Sequence, residues 1–122
     1  MGTHILVVDD DSRILDLESL RLRRLGHTVT TCETAEEALD VLRQAPTPVD
    51  LVITDYKMPG MGGLQLTHDL QNDDEMSAIP VVMMTGYREE VTEEEVHDVG
   101  VDMLLTKPVE QGELEDVLSV LL

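Results

Sequence analysis

Four short apolar runs and one run of β-branched residues recur along the chain, and polar or turn-forming residues follow each of them. Continuous apolar runs of this length are typical of strands that are buried on both faces of a parallel sheet. The pattern predicts five strands, in the ranges 5–8, 27–32, 51–54, 79–85 and 101–106.

The segments between and after these runs are predicted to be helices. Apolar residues recur at the i, i+3, i+4 and i+7 spacing of an amphipathic helix from Ala35 to Leu42 and from Leu114 to Leu121, whereas the segment 89–99 is only weakly amphipathic. The first should begin at Asp11 or Ser12, which are good N-cap residues, and end at Gly26 in the left-handed conformation. Thr34 and Glu37 have the spacing of a capping box at the start of the second helix. Three more helices are expected, over the ranges 63–70, 89–99 and 114–121.

The strict alternation of strands and helices predicts an α/β fold, a doubly wound five-stranded parallel sheet with helices on both faces. The 122 residues fit a single domain that spans 1–122. Hydrophobic residues make up 42% of the chain, but Trp and Phe are absent from it. The core is therefore expected to consist of aliphatic and Met side chains.

The charge, the cysteine count and the lengths of the apolar runs indicate the class of partner and the compartment. The 26 acidic residues outnumber eight basic residues and give a formal net charge of -18, which argues against direct nucleic-acid binding because such binding depends on basic side chains. Cys32 is the single cysteine, so an intramolecular disulfide and a thiolate metal cluster are excluded. A signal peptide and an apolar run of roughly 18 residues are both missing, so we expect a cytoplasmic protein with no membrane contact.

Polar side chains follow four of the predicted strands. Asp9 and Asp10 follow the first strand, Asp55 follows the third, Thr85 ends the fourth and Lys107 follows the fifth. In an open parallel sheet the carboxyl ends of the strands form the crevice where ligands bind, so we expect these five residues to converge. Three neighbouring carboxylates repel one another, and a hard divalent ion such as Mg²⁺ would relieve that repulsion.

This set of residues suits the transfer of a phosphoryl group to a carboxylate. Mg²⁺ is typically held by one or two carboxylates together with phosphate oxygens. Lys107 supplies a positive charge and Thr85 a hydroxyl donor for the phosphoryl oxygens, while Asp55 is the carboxylate best placed to be the nucleophile. The chain has no Walker A loop and no dinucleotide fingerprint, so the phosphoryl donor must be another molecule.

Motifs that extend over essentially the whole chain resemble those of the receiver domains of bacterial two-component response regulators: Asp9-Asp10, Asp55 before Met58-Pro59, Thr85-Gly86 and Lys107-Pro108. The resemblance implies a flavodoxin-like sheet with the strand order 2-1-3-4-5. It also implies that a histidine kinase or a histidine phosphotransfer protein phosphorylates the chain and that a downstream protein then binds it, and it allows a homodimer that forms on phosphorylation.

The resemblance assigns roles to particular residues. Asp55 is the phosphoryl acceptor, and Mg²⁺ is held by Asp10, Asp55 and the backbone carbonyl of Lys57, while Asp9 acts mainly through metal-bound water. The Lys107-Pro108 peptide bond is expected to be cis. A domain of this kind is a signalling switch rather than an enzyme, because it catalyses only its own phosphorylation and dephosphorylation.

The chain departs from the family pattern at Leu104, where receiver domains usually carry Tyr or Phe three residues before the lysine. We therefore expect a shift of Thr85, with movement of the acidic fourth helix, in place of signalling through an aromatic side chain. Lys57 and Tyr87 occupy positions that in this family tune the access of water to the phosphoryl group. Both are expected to affect the lifetime of the phosphorylated state.

Other interpretations of the same residues are open at this stage. Asp9 and Asp10 could cap the first helix, Thr85 could be a turn residue, and Lys107 could be a surface lysine. A degenerate receiver that acts as an unphosphorylated binding module would typically have lost part of the set. An aspartyl-phosphate hydrolase would carry a second Asp where Lys57 stands, and a flavodoxin-type cofactor domain would not place an acidic loop against the cofactor phosphate.

Overall fold

A computed structural model describes residues 3–44, 48–86 and 91–122, in which strands and helices alternate. No helix in these ranges has the length and apolarity needed to cross a membrane. The elements are β1 (His4–Val8), α1 (Ser12–Arg24), β2 (Thr28–Cys32), α2 (Ala35–Gln44), β3 (Leu51–Asp55), α3 (Gly63–Gln71), β4 (Val81–Thr85), α4 (Glu93–Val99), β5 (Met103–Thr106) and α5 (Gln111–Leu121).

The five strands form one parallel sheet in the order β2-β1-β3-β4-β5, which confirms the predicted fold class and strand order. The three central strands β1, β3 and β4 are buried along their whole length. The register pairs Val8 with Thr54, so the next residues, Asp9 and Asp55, leave the sheet side by side. The strand order reverses between β1 and β3, and open sheets bind ligands at such a point.

Apolar clusters cover both faces of the sheet. Successive residues of a strand point to opposite faces, and β1 divides its side chains in this way. Ile5 and Val7 pack with α1 and α5, whereas Leu6 and Val8 pack with α2 and α3. The clusters consist mainly of aliphatic and Met side chains, as the composition predicts.

The ends of the first two helices follow the predicted signals. The side chain of Asp11 caps α1, and Gly26 adopts the left-handed conformation with φ 96°. The backbone N–H of His27 donates to the carbonyl of Leu22 in α1, so β2 begins one residue later than predicted. At the start of α2, the N–H of Glu37 donates to Thr34 Oγ1 at 3.1 Å.

Two further strands begin two residues later than predicted. Pro80 has no N–H to donate to a neighbouring strand, and β4 begins at Val81. The N–H of Val81 donates to the carboxylate of Asp102 at 2.8 Å. This contact uses a side chain in place of the regular ladder, and β5 begins after it, at Met103.

Helix α4 begins at Glu93, later than the predicted start at residue 89. Thr92 and Glu95 form a reciprocal capping box that fixes this start, while residues 87–90 lie outside the described ranges. Gly100 closes the helix in the left-handed conformation, with φ 99°. Val96 is buried within the helix. The small apolar area through which α4 packs agrees with the few apolar residues in the segment 89–99.

Helix α3 begins at Gly63, directly against the backbone of β3. The N–H of Gly63 donates to the carbonyl of Tyr56 at 3.0 Å. A Cβ atom at residue 63 would lie 2.3 Å from the carbonyl oxygen of Asp55, far inside van der Waals contact. Only a residue without a side chain allows α3 to start this close to the end of β3.

We predict that Gly63→Ala lowers the free energy of unfolding by about 1–3 kcal/mol, because the added methyl group overpacks a site closed by backbone atoms. Urea unfolding followed by circular dichroism measures this change. Gly112→Ala in α5 is the matched control, since a Cβ there meets nothing within 4 Å and should leave stability equal or slightly higher. Equal effects of the two substitutions would contradict the close approach of α3 to Asp55.

Candidate functional site

The side chains of the predicted site meet at the carboxyl edge of the sheet. Carboxylate oxygens of Asp9, Asp10 and Asp55 all lie within 4.8 Å of one another. The ammonium of Lys107, at the end of β5, lies 2.8 Å from Asp9 Oδ2 and 3.1 Å from Asp55 Oδ1. Thr85 is buried at the end of β4, and its carbonyl accepts the backbone N–H of Lys107 at 2.8 Å.

The two carboxylates of the acidic pair differ in their surroundings. Asp9 is fully buried, and its two oxygens are used separately: Oδ1 accepts the N–H of Asp11 at 2.9 Å and Oδ2 accepts the Lys107 ammonium. Asp10 is exposed. Asp11 rather than this pair caps α1, by accepting the N–H of Arg13 at 2.9 Å. The interpretation of the pair as helix caps is therefore wrong.

Burial and crowding shift the protonation of Asp55 and Lys107. Burial raises the pKa of the Asp55 carboxyl, the charge of Asp9 raises it further, and Lys107 acts in the opposite direction. Burial alone would lower the pKa of Lys107. The hydrogen bond to Asp9 and the charge of Asp55 outweigh that effect, so the pKa of Lys107 is raised. Lys107 therefore stays charged at neutral pH, and it is buried enough to act on its two neighbours with little screening.

The donor set fits a hard divalent cation. Three carboxylates face one ammonium group, so the cluster keeps an excess of negative charge, and all of its candidate ligand atoms are oxygens. Mg²⁺ prefers oxygen ligands in proteins and is typically bound by one or two carboxylates together with waters or phosphate oxygens. Lys57, whose carbonyl is the fourth predicted ligand, follows Asp55 by two residues and is exposed on the β3–α3 loop.

The resemblance also singles out Leu104 and Tyr87. Leu104 lies away from the acidic cluster, and Tyr87 lies outside the described ranges. Leu104 is half-buried and packs against a small cluster formed by Met83, Val91 and Val96, beneath α4. Tyr87 belongs to residues 87–90, which the structure does not describe. The peptide bond between Lys107 and Pro108 is cis, as the resemblance implies.

Sequence reasoning overlooked a buried carboxylate beside the site. Glu18 on α1 is 3% exposed and pairs with Arg21, whose Nη1 lies 3.2 Å from Glu18 Oε1. Its position carried a signal, because it falls three residues after Leu15 and four before Leu22, on the apolar face of the helix. A charged residue in that phase of an amphipathic helix indicates a buried polar contact.

We predict that Asp55→Asn stabilises the protein in the presence of a chelator at pH 7, by roughly 1 kcal/mol. The raised pKa of Asp55 means that the folded state binds more protons than the unfolded state above pH 3.8, so the contribution of Asp55 to stability falls as pH rises through its folded pKa. Asn removes that cost.

Urea unfolding at pH 7 and below pH 3.8 measures the difference in free energy of unfolding between Asp55→Asn and the parent protein. This difference should be small at the lower pH, where Asp55 is protonated in both the folded and the unfolded state. Asp40→Asn removes an equal charge from an exposed position on α2 and should change stability by less than about 0.5 kcal/mol. Lower stability of Asp55→Asn than of the parent protein at pH 7 would contradict the repulsion described here.

Comparison with known proteins places the chain in a family. Residues 5–119 match the family model of the response regulator receiver domain. The transcriptional regulatory protein GlrR of Escherichia coli strain K12 is 38% identical over 116 residues, which cover 95% of this chain and 25% of GlrR. The two-component response regulator ORR6 of Oryza sativa subsp. japonica is 33% identical over 95% of this chain and 69% of its own length.

The fold agrees with the sequence comparison. The solved structure of the chemotaxis response regulator CheY4 of Vibrio cholerae matches with a TM-score of 0.90 and 27% sequence identity, over 100% of both chains. This chain spans about a quarter of the length of GlrR. The family match over nearly the whole chain, together with the acidic cluster and the lysine at the sheet edge, shows that the chain belongs to the receiver domains of two-component response regulators.

Proposed function

We propose that this chain accepts a phosphoryl group on Asp55 from a phosphohistidine of a histidine kinase or a histidine phosphotransfer protein. The observation that carries the proposal is the contact of 3.1 Å between the Lys107 ammonium and Asp55, in a cluster that holds two more carboxylates. An ionised carboxylate needs no general base, so the site has to supply orientation and positive charge.

The transfer is a displacement at phosphorus. A carboxylate oxygen of Asp55 forms the new bond to phosphorus, the bond between phosphorus and the donor's imidazole nitrogen breaks, and that nitrogen keeps the electron pair. Lys107 and the hydroxyl of Thr85 contact the phosphoryl oxygens. Because Lys107 also contacts Asp9 at 2.8 Å, it stays at the site when Asp55 is modified.

Mg²⁺ is the proposed cofactor, held by Asp10, Asp55 and the backbone carbonyl of Lys57, with Asp9 in support. When bound, it supplies positive charge to the phosphoryl oxygens. The protein's own part is to place the three carboxylates together at a cost in repulsion that the cation offsets. The all-oxygen set and the excess negative charge of the cluster support this assignment.

The output of the switch is a change in affinity for a downstream protein at the surface formed by α4, β5 and α5. Thr85 ends β4 and is buried beside this surface, so a contact between its hydroxyl and the phosphoryl group would pull on β4. Leu104 lies directly across from Met83 in the sheet and packs under α4. Movement of Thr85 is thereby proposed to reach α4 through aliphatic packing instead of an aromatic side chain.

We predict that the protein gains one phosphoryl group when it is incubated with acetyl phosphate and Mg²⁺, and that intact-mass spectrometry detects it. Asp55→Asn should gain none, because an amide is a poor nucleophile. Lys107→Met should be phosphorylated roughly 100-fold more slowly, which is the usual effect of removing one preorganised charge from a transferring group. A chelator should stop the reaction in the parent protein.

Surface carboxylates provide the matched control for this experiment. Asp40→Asn changes the net charge as Asp55→Asn does and should be phosphorylated at the parent rate. A parent protein that gains no phosphoryl group would favour the unphosphorylated binding module instead. Continuous release of phosphate from small phosphate esters would favour the aspartyl-phosphate hydrolase.

We further predict that Lys57→Ala changes the rate at which phosphate is lost from Asp55, by roughly 10-fold in either direction, because residue 57 stands on the loop beside the acceptor. The decay of the phosphorylated mass after rapid removal of acetyl phosphate measures this lifetime. Tyr87→Ala should alter it as well. Unchanged decay in both variants would remove these two residues from the control of water access.

A further inference from the structure

An ion pair on α1, formed by the buried Glu18 and the partly exposed Arg21, reaches the loop that carries Lys107. Arg21 Nη1 lies 3.2 Å from Glu18 Oε1 and donates to the backbone carbonyl of Val109 at 2.6 Å. The contact joins two parts of the chain that are 88 residues apart. Glu18 is 3% exposed and Val109 is 7% exposed, so both ends of the link are shielded from water.

The geometry of the guanidinium group allows Arg21 to donate to Glu18 and to Val109 at the same time. A terminal nitrogen of Arg carries two N–H groups in a fixed plane, so Nη1 has one donor for Glu18 and one for Val109. Glu18 therefore sets the orientation in which Arg21 presents its second donor. The side chain of Val109 packs in the apolar cluster with Leu114 of α5, whereas its carbonyl accepts the hydrogen bond from Arg21.

The segment from Lys107 to Val109 is attached at both of its ends. The backbone N–H of Lys107 donates to the carbonyl of Thr85 at 2.8 Å, and Arg21 holds the carbonyl of Val109. A cavity of about 270 Å³ lies between this segment and α1, with Glu18, Arg21, Lys107 and Val109 among its lining residues. The hydrogen bond from Arg21 joins the segment to α1 beside this cavity.

Stability alone does not account for the pair. Burial raises the pKa of Glu18 and Arg21 opposes that rise, which shows that the charged form is costly to bury. In the described ranges 3–44, 48–86 and 91–122, no donor is paired with Glu18 Oε2. The cost of taking the Glu18 charge out of water offsets much of what its contact with Arg21 contributes to stability.

We propose that Glu18 and Arg21 are positioning residues for Lys107: Glu18 orients Arg21, and Arg21 holds the carbonyl of Val109 so that the Lys107 ammonium stays between Asp9 and Asp55. The effect on phosphorylation rests on the function proposed above. The position of Lys107 itself does not, and it is measured separately.

The first experiment observes Lys107 directly by NMR. The chain has two lysines, and the exposed Lys57 serves as an internal reference for the ¹⁵N-labelled side-chain signals. In the double variant Glu18→Leu/Arg21→Leu, the Nζ signal of Lys107 should broaden and move away from its position in the parent protein, because the ammonium is no longer held against two carboxylates. The signal of Lys57 should not change. Arg24→Leu, from an exposed position on the same helix, should leave both signals unchanged.

The second experiment measures the rate of phosphorylation by acetyl phosphate and Mg²⁺. The double Leu variant should react roughly 10-fold more slowly, since small displacements of a catalytic group cost at least this much. Glu18→Gln keeps an oxygen acceptor for Arg21 and should stay within about twofold of the parent. In the Lys107→Met background the double Leu substitution should have no further effect, because residues that act through one group are not additive.

An unchanged Lys107 signal in a folded double Leu variant would overturn the proposal, and so would an equal loss of rate with and without Lys107. If the double Leu variant does not fold, Glu18→Gln/Arg21→Met repeats both measurements with a polar side chain kept at residue 18. If the parent protein is never phosphorylated, the proposed function fails, while the NMR comparison still decides whether the pair positions Lys107.

Discussion

The contact of one lysine with two buried carboxylates is the interaction on which the site depends. Asp9 follows β1 and Asp55 ends the neighbouring strand β3, at the same level of the sheet. Carboxylate oxygens of the two residues lie within 4.8 Å of each other, so their charges repel. Lys107 approaches both, at 2.8 and 3.1 Å, from the far end of β5. The strand order makes this possible, since it places β1 beside β3 and lets the β5–α5 loop reach over β4.

The same residues that create the repulsion are the ones proposed to bind a cation and a phosphoryl group. Asp9 is fixed by a backbone N–H and by Lys107, whereas Asp10 is exposed. A fixed inner carboxylate and an accessible outer one suit a cation that arrives from solvent with part of its water shell, as Mg²⁺ does. The repulsion between these carboxylates therefore favours the binding of the cation that the proposed function requires.

The backbone around the acceptor is held by contacts that contribute no chemistry of their own. Gly63 allows α3 to begin against the carbonyl of Asp55, and Arg21 holds the loop after Lys107 from the opposite side. Asp55 and Lys107 belong to different elements, so their separation is set by how those elements are anchored. In contrast, Leu104 and the short α4 form a loosely supported region, with Val96 as the buried apolar residue described within the helix. Such a region is suited to movement.

The sequence by itself determined the alternation of elements and the five polar residues that follow the strands, because these depend on hydrophobic runs and on local motifs. The strand order followed from the family resemblance that those motifs carry. The sequence placed the starts of β4, β5 and α4 too early, since Pro80, Asp102 and the cap at Thr92 act against the apolar pattern. Only the tertiary structure decided that Asp55 lies against Gly63 and that Arg21 reaches Val109. The physical reason is that both contacts join different elements, whose separation is set by packing across the sheet and is not encoded in any local pattern.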